Sequence, residues 1–324
     1  MRYLLGIDGG GTQTVAWMAD ERGRVVARAS AGPSNPFKVG IAKCRRELLR
    51  AAQLAAKSIR PQAPVKRLPR QRKIGRPRAV WPALEAVVVG LAGSGRPKTH
   101  RALLRWLRQS IPARLHLLTS DAAIALEAAT GSSAGIIVIS GTGSIALARD
   151  RHGNLLRVGG WGNLFDDLGS GFDLGRKAVM AALQDYDGLG PRTVLTSMIE
   201  RTLNLREITD IVERQLTPSE VAALFRVVLK AANRRDRVAR MLCDEAGRQL
   251  AGMALALLKK IHSRRGISVV CAGGVFSSGG VVLRSFTRHL HRHAPRIPVR
   301  LLRRAPVQGA LTLARKIAGS KPRS

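Results

Sequence analysis

The chain has 324 residues, of which 45% are hydrophobic, and these values exclude a wholly disordered protein and predict two lobes, each with its own core. Lysine and arginine number 55 against 21 acidic residues, a net charge of +34, which would suit nucleic-acid binding or the steering of anionic substrates. We favour arginine spread over solvated surface, because stacking aromatics are scarce and no nucleic-acid motif occurs, and we do not expect nucleic acid as a partner.

Residues 2 to 30 predict three antiparallel strands joined by two turns. The first turn is rich in glycine and ends with Thr12, and the second is Asp20-Glu21-Arg22-Gly23. Helical periodicity follows over 43–57. The segment 60–82 is rich in proline and arginine and contains no acid, which predicts an exposed basic insertion.

Buried strands then alternate with helices. The apolar run 86–91 predicts a buried parallel strand, residues 99–109 a helix, and residues 115–119 a strand that ends at Ser120-Asp121. This βαβ order predicts a mixed sheet covered on both faces, with ligands at the carboxyl ends of its parallel strands. Asp121 lies at one of these ends.

The strand-turn-strand unit occurs twice. Residues 135–146 repeat the first glycine turn at an offset of 130 residues, and residues 150–153 repeat the second turn at the same offset. This duplication predicts two related lobes that face one nucleotide. The remaining elements are a glycine-rich loop over 159–175, a mainly helical region over 176–262, a strand at 269–271, a helix at 281–292, a strand at 298–302 and a last helix at 307–318.

The glycine turns suggest phosphate binding, since phosphates need backbone donors that no side chain obstructs. Gly9, Gly10 and Gly11 with the Thr12 hydroxyl form one such set, and Gly141-Thr142-Gly143-Ser144 forms a second. Neither turn is a Walker A loop or a Rossmann fingerprint. An ordinary hairpin is the alternative for either turn alone, but two turns in register favour a nucleotide.

Two aspartates are candidates for chemistry. Asp8, at the mouth of the first turn, suits Mg²⁺ held through water, and its alternative role is to cap the turn. Asp121 suits a general base that takes the proton of a substrate hydroxyl during phosphoryl transfer. Its alternative role is to cap a helix over 122–129. Both roles of Asp121 can coexist.

Polar loops suggest a sugar. Ser34-Asn35 and the loop 160–167 offer amides, hydroxyls, carboxylates and an indole face, although Trp161 equally suits a core aromatic. Three histidines at 289, 291 and 293 have no accompanying ligand set, so we interpret them as a basic helix face and not as a metal site.

Apolar runs are short and cysteines are few. The run 86–91 falls well short of the roughly 20 residues of a membrane helix, and Asp8 interrupts the N-terminus before a signal-peptide core could form. Cys44, Cys243 and Cys271 are odd in number and lack CxxC spacing, which argues against a disulfide framework or a cysteine cluster. We therefore expect a cytoplasmic protein with reduced thiols.

Seven motifs stand in a characteristic order: GIDGGGTQT, GPSN, SDAA, ISGTGS, GGWGNLFDDLGSG, CAGG and APVQGAL. In this order they resemble the N-acetylglucosamine kinase branch of the BadF/BadG/BcrA/BcrD ATPase family, over nearly the whole chain. The resemblance implies an α/β, two-lobed, actin-like (ribonuclease H-like) ATPase fold with duplicated mixed-sheet domains. Its cleft would close over ATP, with Mg²⁺, and an amino sugar, N-acetylglucosamine or glucosamine, whose 6-hydroxyl is phosphorylated. We also expect a homodimer.

The resemblance also implies boundaries and residue roles. The N-terminal lobe would comprise 1–131 plus 306–324, and the C-terminal lobe 132–305. Asp121 would be the base. Nucleotide contacts would come from Gly10, Gly11, Thr12, Gly141 and Thr142 at the phosphates and from Gly273 and Gly274 nearer the nucleoside, and sugar contacts from Asn35, Asp121, Ser144, Trp161, Gly162 and Asp167.

The chain departs from the family pattern at two positions. Leu168 stands where the family loop usually carries a second acid, and Gln13 replaces a lysine that is frequent in bacterial members. The first departure leaves the preferred sugar open, and the second removes a potential positive contact to phosphate.

Two functions other than a sugar kinase are kept as alternatives. One is an ATPase that activates a radical dehydratase, which would need an iron–sulfur cluster held by cysteines. The other is a nucleotide-gated protein that binds nucleic acid through its basic surface.

Overall fold

The computed structural model describes residues 1–59, 81–261 and 265–319. The chain divides into two compact units, Met1–Gly131 with Arg304–Ser324, and Ser132–Arg303. Almost all of the predicted basic insertion, 60–82, lies outside the described residues.

The first unit is built on a five-stranded sheet of order β3-β2-β1-β4-β5. Strand β1 is antiparallel to β2, and β2 to β3, whereas β1, β4 and β5 are parallel. Its strands are β1 (Tyr3–Gly9), β2 (Thr14–Asp20), β3 (Val25–Ala31), β4 (Leu84–Leu91) and β5 (Leu115–Thr119), and its helices are α1 (Pro36–Lys57), α2 (Pro97–Ser110), α3 (Asp121–Thr130) and the C-terminal α11 (Pro306–Gly319).

Helices cover both faces of this sheet, as the βαβ pattern predicts. Leu5 and Ile7 of β1 pack in one core with α1 and α2, whereas the preceding Leu4 packs in a second core with α3 and α11. Successive side chains of a strand point to opposite faces. A strand covered on both faces therefore has a continuous apolar run, which is how β1 and β4 stand out in the sequence.

Gly309 allows α11 to pack directly on α3. An ideal Cβ at Gly309 would lie only 1.9 Å from the Ile124 carbonyl oxygen, and 2.7 Å from the Ala128 nitrogen. Because both atoms belong to backbone, neither can move aside without shifting a helix.

We predict that Gly309→Ala lowers the free energy of unfolding by about 2 kcal/mol, the usual scale of overpacking. Urea unfolding would measure it. Gly252→Ala is the matched control, because Gly252 also lies in a helix but has open space around it. That change should stabilise by about 0.5–1 kcal/mol through helix propensity. Equal effects of the two changes would contradict the packing argument.

The second unit repeats the same topology, with the sheet order β10-β9-β6-β7-β8. Strands β6, β7 and β8 are antiparallel neighbours, and β6, β9 and β10 are parallel. The elements are β6 (Gly135–Ser140), β7 (Ser144–Arg149), β8 (Leu155–Gly159), α4 (Gly171–Tyr186), α5 (Leu195–Leu203), a 3-10 helix (Ile208–Val212), α6 (Pro218–Ala223), α7 (Phe225–Asn233), α8 (Arg237–Lys260), β9 (Val269–Ala272), α9 (Gly274–Ser277), α10 (Val281–His291) and β10 (Val299–Leu301). Two mixed sheets of equal order and direction confirm the predicted duplication.

The duplication extends to the turn that follows the second strand of each unit. In the first unit Asp20 Oδ1 accepts from the backbone nitrogens of Arg22 and Arg24. In the second, Asp150 Oδ1 accepts from those of His152 and Asn154. An aspartate that bonds the backbone just ahead of it fixes such a turn, so the 130-residue repeat in the sequence corresponds to a repeat of structure.

Capping side chains explain why helices α1, α3 and α4 begin earlier than predicted. Helix α1 begins at Pro36 because Asn35 caps it, with Oδ1 accepting from the Phe37 nitrogen at 3.0 Å. Helix α4 begins at Gly171, inside the predicted loop, because the Ser170 hydroxyl accepts from the Asp173 nitrogen. Helix α3 is capped by Ser120, not by Asp121, through a 3.1 Å bond to the Ala123 nitrogen. Short side chains thus set the helix starts that apolar periodicity misses.

In the parts of the chain that the structure describes, no helix combines the length and apolarity needed to cross a bilayer.

Candidate active site

The carboxyl ends of three parallel strands meet at one edge of the first unit's sheet. Asp8 of β1 pairs with Gly90 of β4, and Gly90 pairs with Thr119 at the end of β5. The Ser94 hydroxyl donates to the Thr119 carbonyl at 2.9 Å and joins the loops that follow β4 and β5. Asp121 comes two residues after β5, so the topology brings both predicted aspartates to this edge.

Both aspartates have raised pKa values, and the charge of Asp121 contributes, after burial, to the shift of Asp8. Burial, and secondarily the charge of Asp121, raise the pKa of Asp8 from an ordinary 3.8 to about 7. Burial also raises the pKa of Asp121, against the lowering effect of the Ala122 backbone N–H, which donates to Asp121 Oδ1 at 2.9 Å. Raised carboxyl pKa values are typical of acid–base sites.

The first glycine turn is closed tightly and joined to the loop that carries Asn35. The Gly10 nitrogen donates to the Gln13 carbonyl at 2.9 Å, and the Gly10 carbonyl accepts from the nitrogens of Ser34 and Asn35. An ideal Cβ at Gly9 would lie 2.6 Å from the Ser34 hydroxyl oxygen, so a side chain at Gly9 would displace that hydroxyl. The predicted sugar ligand Asn35 is therefore fixed beside the predicted phosphate turn, where Thr12 is exposed.

Two basic side chains near this turn are absent from the sequence-based site. The Lys38 Nζ lies 3.1 Å from the position of an ideal Cβ at Gly11. Arg96 stacks on the exposed ring of Phe37, with 4.4 Å between its Cζ and the ring centroid. Neither residue belongs to a motif, and no pattern in the sequence singles them out among 55 basic residues.

The second glycine turn, in the second unit, is supported from two sides. The Gly141 nitrogen donates to the Gly143 carbonyl at 2.9 Å, and the Gly141 carbonyl accepts from the Gly171 nitrogen at the start of α4. Gly273 has a φ of 99°, and an ideal Cβ there would lie 2.1 Å from the Ser140 carbonyl oxygen. The predicted nucleotide residues Gly141, Thr142 and Gly273 therefore lie together, and Gly274 follows directly at the start of α9.

Asp167 and Trp161 differ in exposure although they belong to the same loop. Asp167 is buried, with a φ of 66°, and its Oδ1 accepts from the Ser144 nitrogen at 2.9 Å, which fixes the end of the second turn. Trp161 is 72% exposed and stacks against Arg157, which excludes a core aromatic. Gly162 follows Trp161 with a φ of 102°, and its carbonyl accepts from the Phe165 and Asp166 nitrogens. The assignment of these residues to a sugar stays a prediction.

The histidines of the α10 region bond to protein groups. His289 Nε2 lies 3.2 Å from Asp244 Oδ1, and His291 Nε2 lies 3.0 Å from the Ile297 carbonyl. Across residues 1–59, 81–261 and 265–319, no group of three or more histidine, cysteine or acidic side chains is arranged to hold a metal. Asp8 offers one carboxylate, a ligand that suits Mg²⁺ when phosphate oxygens and water complete its shell.

Two mixed sheets of the same order, each with a Gly-Thr turn, define an actin-like ATPase of the ribonuclease H-like fold. The model of the BadF/BadG/BcrA/BcrD ATPase family matches residues 5–314, and the chain belongs to that family. It is 28% identical over 323 residues to an N-acetylmuramic acid/N-acetylglucosamine kinase of Clostridium acetobutylicum, covering 97% of this chain and 99% of the relative.

Two further relatives resemble the chain over nearly its full length. An N-acetyl-D-glucosamine kinase of Dictyostelium discoideum is 25% identical, with coverage of 96% of this chain and 97% of the relative. A crystal structure of a candidate N-acetylglucosamine kinase from Chromobacterium violaceum is 28% identical and superposes with a TM-score of 0.74, covering 97% of this chain and 99% of that structure.

Proposed function

We propose that the protein is an ATP-dependent kinase that phosphorylates the 6-hydroxyl of an amino sugar, N-acetylglucosamine or glucosamine. The observation that carries the proposal is Asp121, a carboxylate of raised pKa at the end of β5, on the sheet edge that also bears the first glycine turn. The names of the relatives in C. acetobutylicum and D. discoideum support the acceptor class.

The proposed reaction is a direct transfer. The sugar hydroxyl oxygen attacks the γ-phosphorus of ATP, its proton passes to an Asp121 oxygen, and the bond from the γ-phosphorus to the β-bridging oxygen breaks, so that ADP leaves. Asn35 would orient the sugar from its fixed place beside Gly10. The backbone N–H groups and threonine hydroxyls of the Thr12 and Thr142 turns are assigned to nucleotide phosphates. The raised pKa of Asp121 brings the base nearer to the pH at which a proton must be taken.

Asp8 is the residue that we assign to Mg²⁺, with Asp121 beside it. The ion, when bound, would neutralise charge on the phosphate oxygens. A carboxyl with a pKa of about 7 is partly protonated near neutrality, so protons and Mg²⁺ would compete for it.

The dehydratase-activator alternative loses support from the cysteines. Cys44, Cys243 and Cys271 are all buried and free. Burial raises the pKa of Cys44 to about 11 and that of Cys243 to about 12, whereas a cluster is held by thiolates. A cluster shared across a dimer would need cysteines at the surface.

The direct test is an acceptor panel. Purified protein with Mg-ATP is incubated with N-acetylglucosamine, glucosamine, N-acetylmuramic acid and glucose, and ADP and sugar phosphate are measured. We expect rapid turnover with at least one amino sugar and none with its 6-deoxy analogue, which lacks the acceptor oxygen. Absence of sugar-dependent ADP formation with every amino sugar would refute the proposal.

We also propose a homodimer, for which light scattering should give twice the 34.9 kDa mass of the chain.

A further inference from the structure

Lys38 lies along the first glycine turn. Three atoms at the end of its side chain, Nζ, Cδ and Cε, lie 3.1, 3.3 and 3.4 Å from the position of an ideal Cβ at Gly11. Gly11 has no side chain, so the lysine occupies the space that a side chain there would need. The ammonium group is thus next to the backbone that is assigned to phosphates.

Local structure fixes the lysine in this place. Asn35 donates its backbone N–H to the Gly10 carbonyl, and the Asn35 carbonyl accepts from the nitrogens of Lys38 and Val39 at 3.0 Å each. Gly40, with φ 76° and ψ 159°, interrupts α1 directly after this turn. That conformation is essentially restricted to glycine. The first turn of α1 is therefore oriented by the glycine turn, independently of the rest of the helix.

The electrostatics of this edge call for a cation. Asp8 and Asp121 both carry carboxyl groups here, and a triphosphate would add further negative charge. The side chains on the turn itself, Thr12 and Gln13, are neutral. Among the described residues Lys38 forms no ion pair, so no carboxylate of that part of the chain neutralises its charge.

We propose that Lys38 binds the phosphates of the nucleotide at the first turn and supplies the positive charge that the turn lacks. This inference rests on the proposed function only for its choice of nucleotide. An ammonium group is a compact point charge with three donors, which suits a phosphate without demanding one geometry.

The test compares Lys38→Gln with Lys38→Arg and with Lys43→Gln, which removes an exposed lysine of the same helix beyond the Gly40 break. Lys38→Gln should weaken binding of a non-hydrolysable ATP analogue, measured by calorimetry, and raise the KM for Mg-ATP by about tenfold, the scale of one charge-assisted bond. The KM for the sugar should stay unchanged. Lys38→Arg should retain most of the affinity, and Lys43→Gln all of it.

A second-site variant separates charge from packing. Gln13 is exposed on the same turn, so adding Gln13→Lys to Lys38→Gln should recover part of the nucleotide affinity. Wild-type affinity in Lys38→Gln would overturn the inference, and so would equal losses in the glutamine, arginine and double variants. A protein that binds the ATP analogue through Lys38 but phosphorylates no sugar would refute the proposed function alone.

Discussion

Replacing Asp121 with asparagine is expected to lower kcat by about a hundredfold or more, because an amide cannot take the hydroxyl proton and general-base catalysis contributes on that scale. The fold should persist. Ser120, not Asp121, caps α3, and asparagine keeps an oxygen that can accept from the Ala122 nitrogen. Steady-state kinetics and circular dichroism would measure the two effects.

Ser120→Ala is the matched control for Asp121→Asn. It removes the cap at the adjacent position and should cost about 1 kcal/mol of stability, with little change in kcat. The opposite pattern, near-normal turnover in Asp121→Asn and a large loss in Ser120→Ala, would show that the segment matters for helix geometry and that Asp121 is not the base.

Replacing Asp8 with asparagine is expected to stabilise the protein without ligands at pH 8 and to abolish most turnover. The folded-state pKa of Asp8 is about 7, above its ordinary 3.8, so folding favours the protonated form. Below its unfolded pKa this carboxyl does not lower the free energy of unfolding. The loss of unfolding free energy grows as the pH rises from about 4 to about 7 and is constant at higher pH. At about 1.4 kcal/mol per pKa unit the gain is at most about 4 kcal/mol.

Urea unfolding of wild type and Asp8→Asn at pH 4.5 and pH 8 would test this prediction. The gain in unfolding free energy should be clearly larger at pH 8. Asp150→Asn is the control of opposite sign, because hydrogen bonds from Asn154 and from backbone N–H groups lower the pKa of Asp150, so this variant should gain nothing at pH 8. Equal stability of Asp8→Asn and wild type at pH 8 would mean that burial does not penalise the Asp8 charge.

The duplicated units have diverged where chemistry is expected. At an offset of 130 residues Asp8 corresponds to Val138, which is fully buried in β6. Strand β10, the counterpart of β5, is followed by Leu302 and Arg303 and not by an acid. The second unit therefore has no carboxylate at the positions that correspond to Asp8 and Asp121, and its buried Asp167 instead accepts from the Ser144 nitrogen.

Much of the fold could be predicted from the sequence. Strands β1, β4, β6 and β9 have nearly continuous apolar runs because residues on both of their faces are buried. Part of the repeat at 130 residues is visible because the equivalent Gly23 and Gly153 both adopt a positive φ, of 83° and 87°, a conformation that favours glycine. Asp8 and Asp121 follow from the rule that ligands lie at the carboxyl ends of parallel strands.

Only the tertiary structure decided which side chains serve the turns. Lys38 reaches Gly11, Asp167 is buried against Ser144 and Gly309 meets the carbonyl of Ile124. Each of these contacts joins residues that are 23 or more positions apart in the sequence, and the Lys38 contact also depends on the break of α1 at Gly40. No local pattern therefore encodes them. Apolar periodicity and turn residues act within one element and are therefore written in the sequence, whereas the position of a single polar group depends on how separate elements pack.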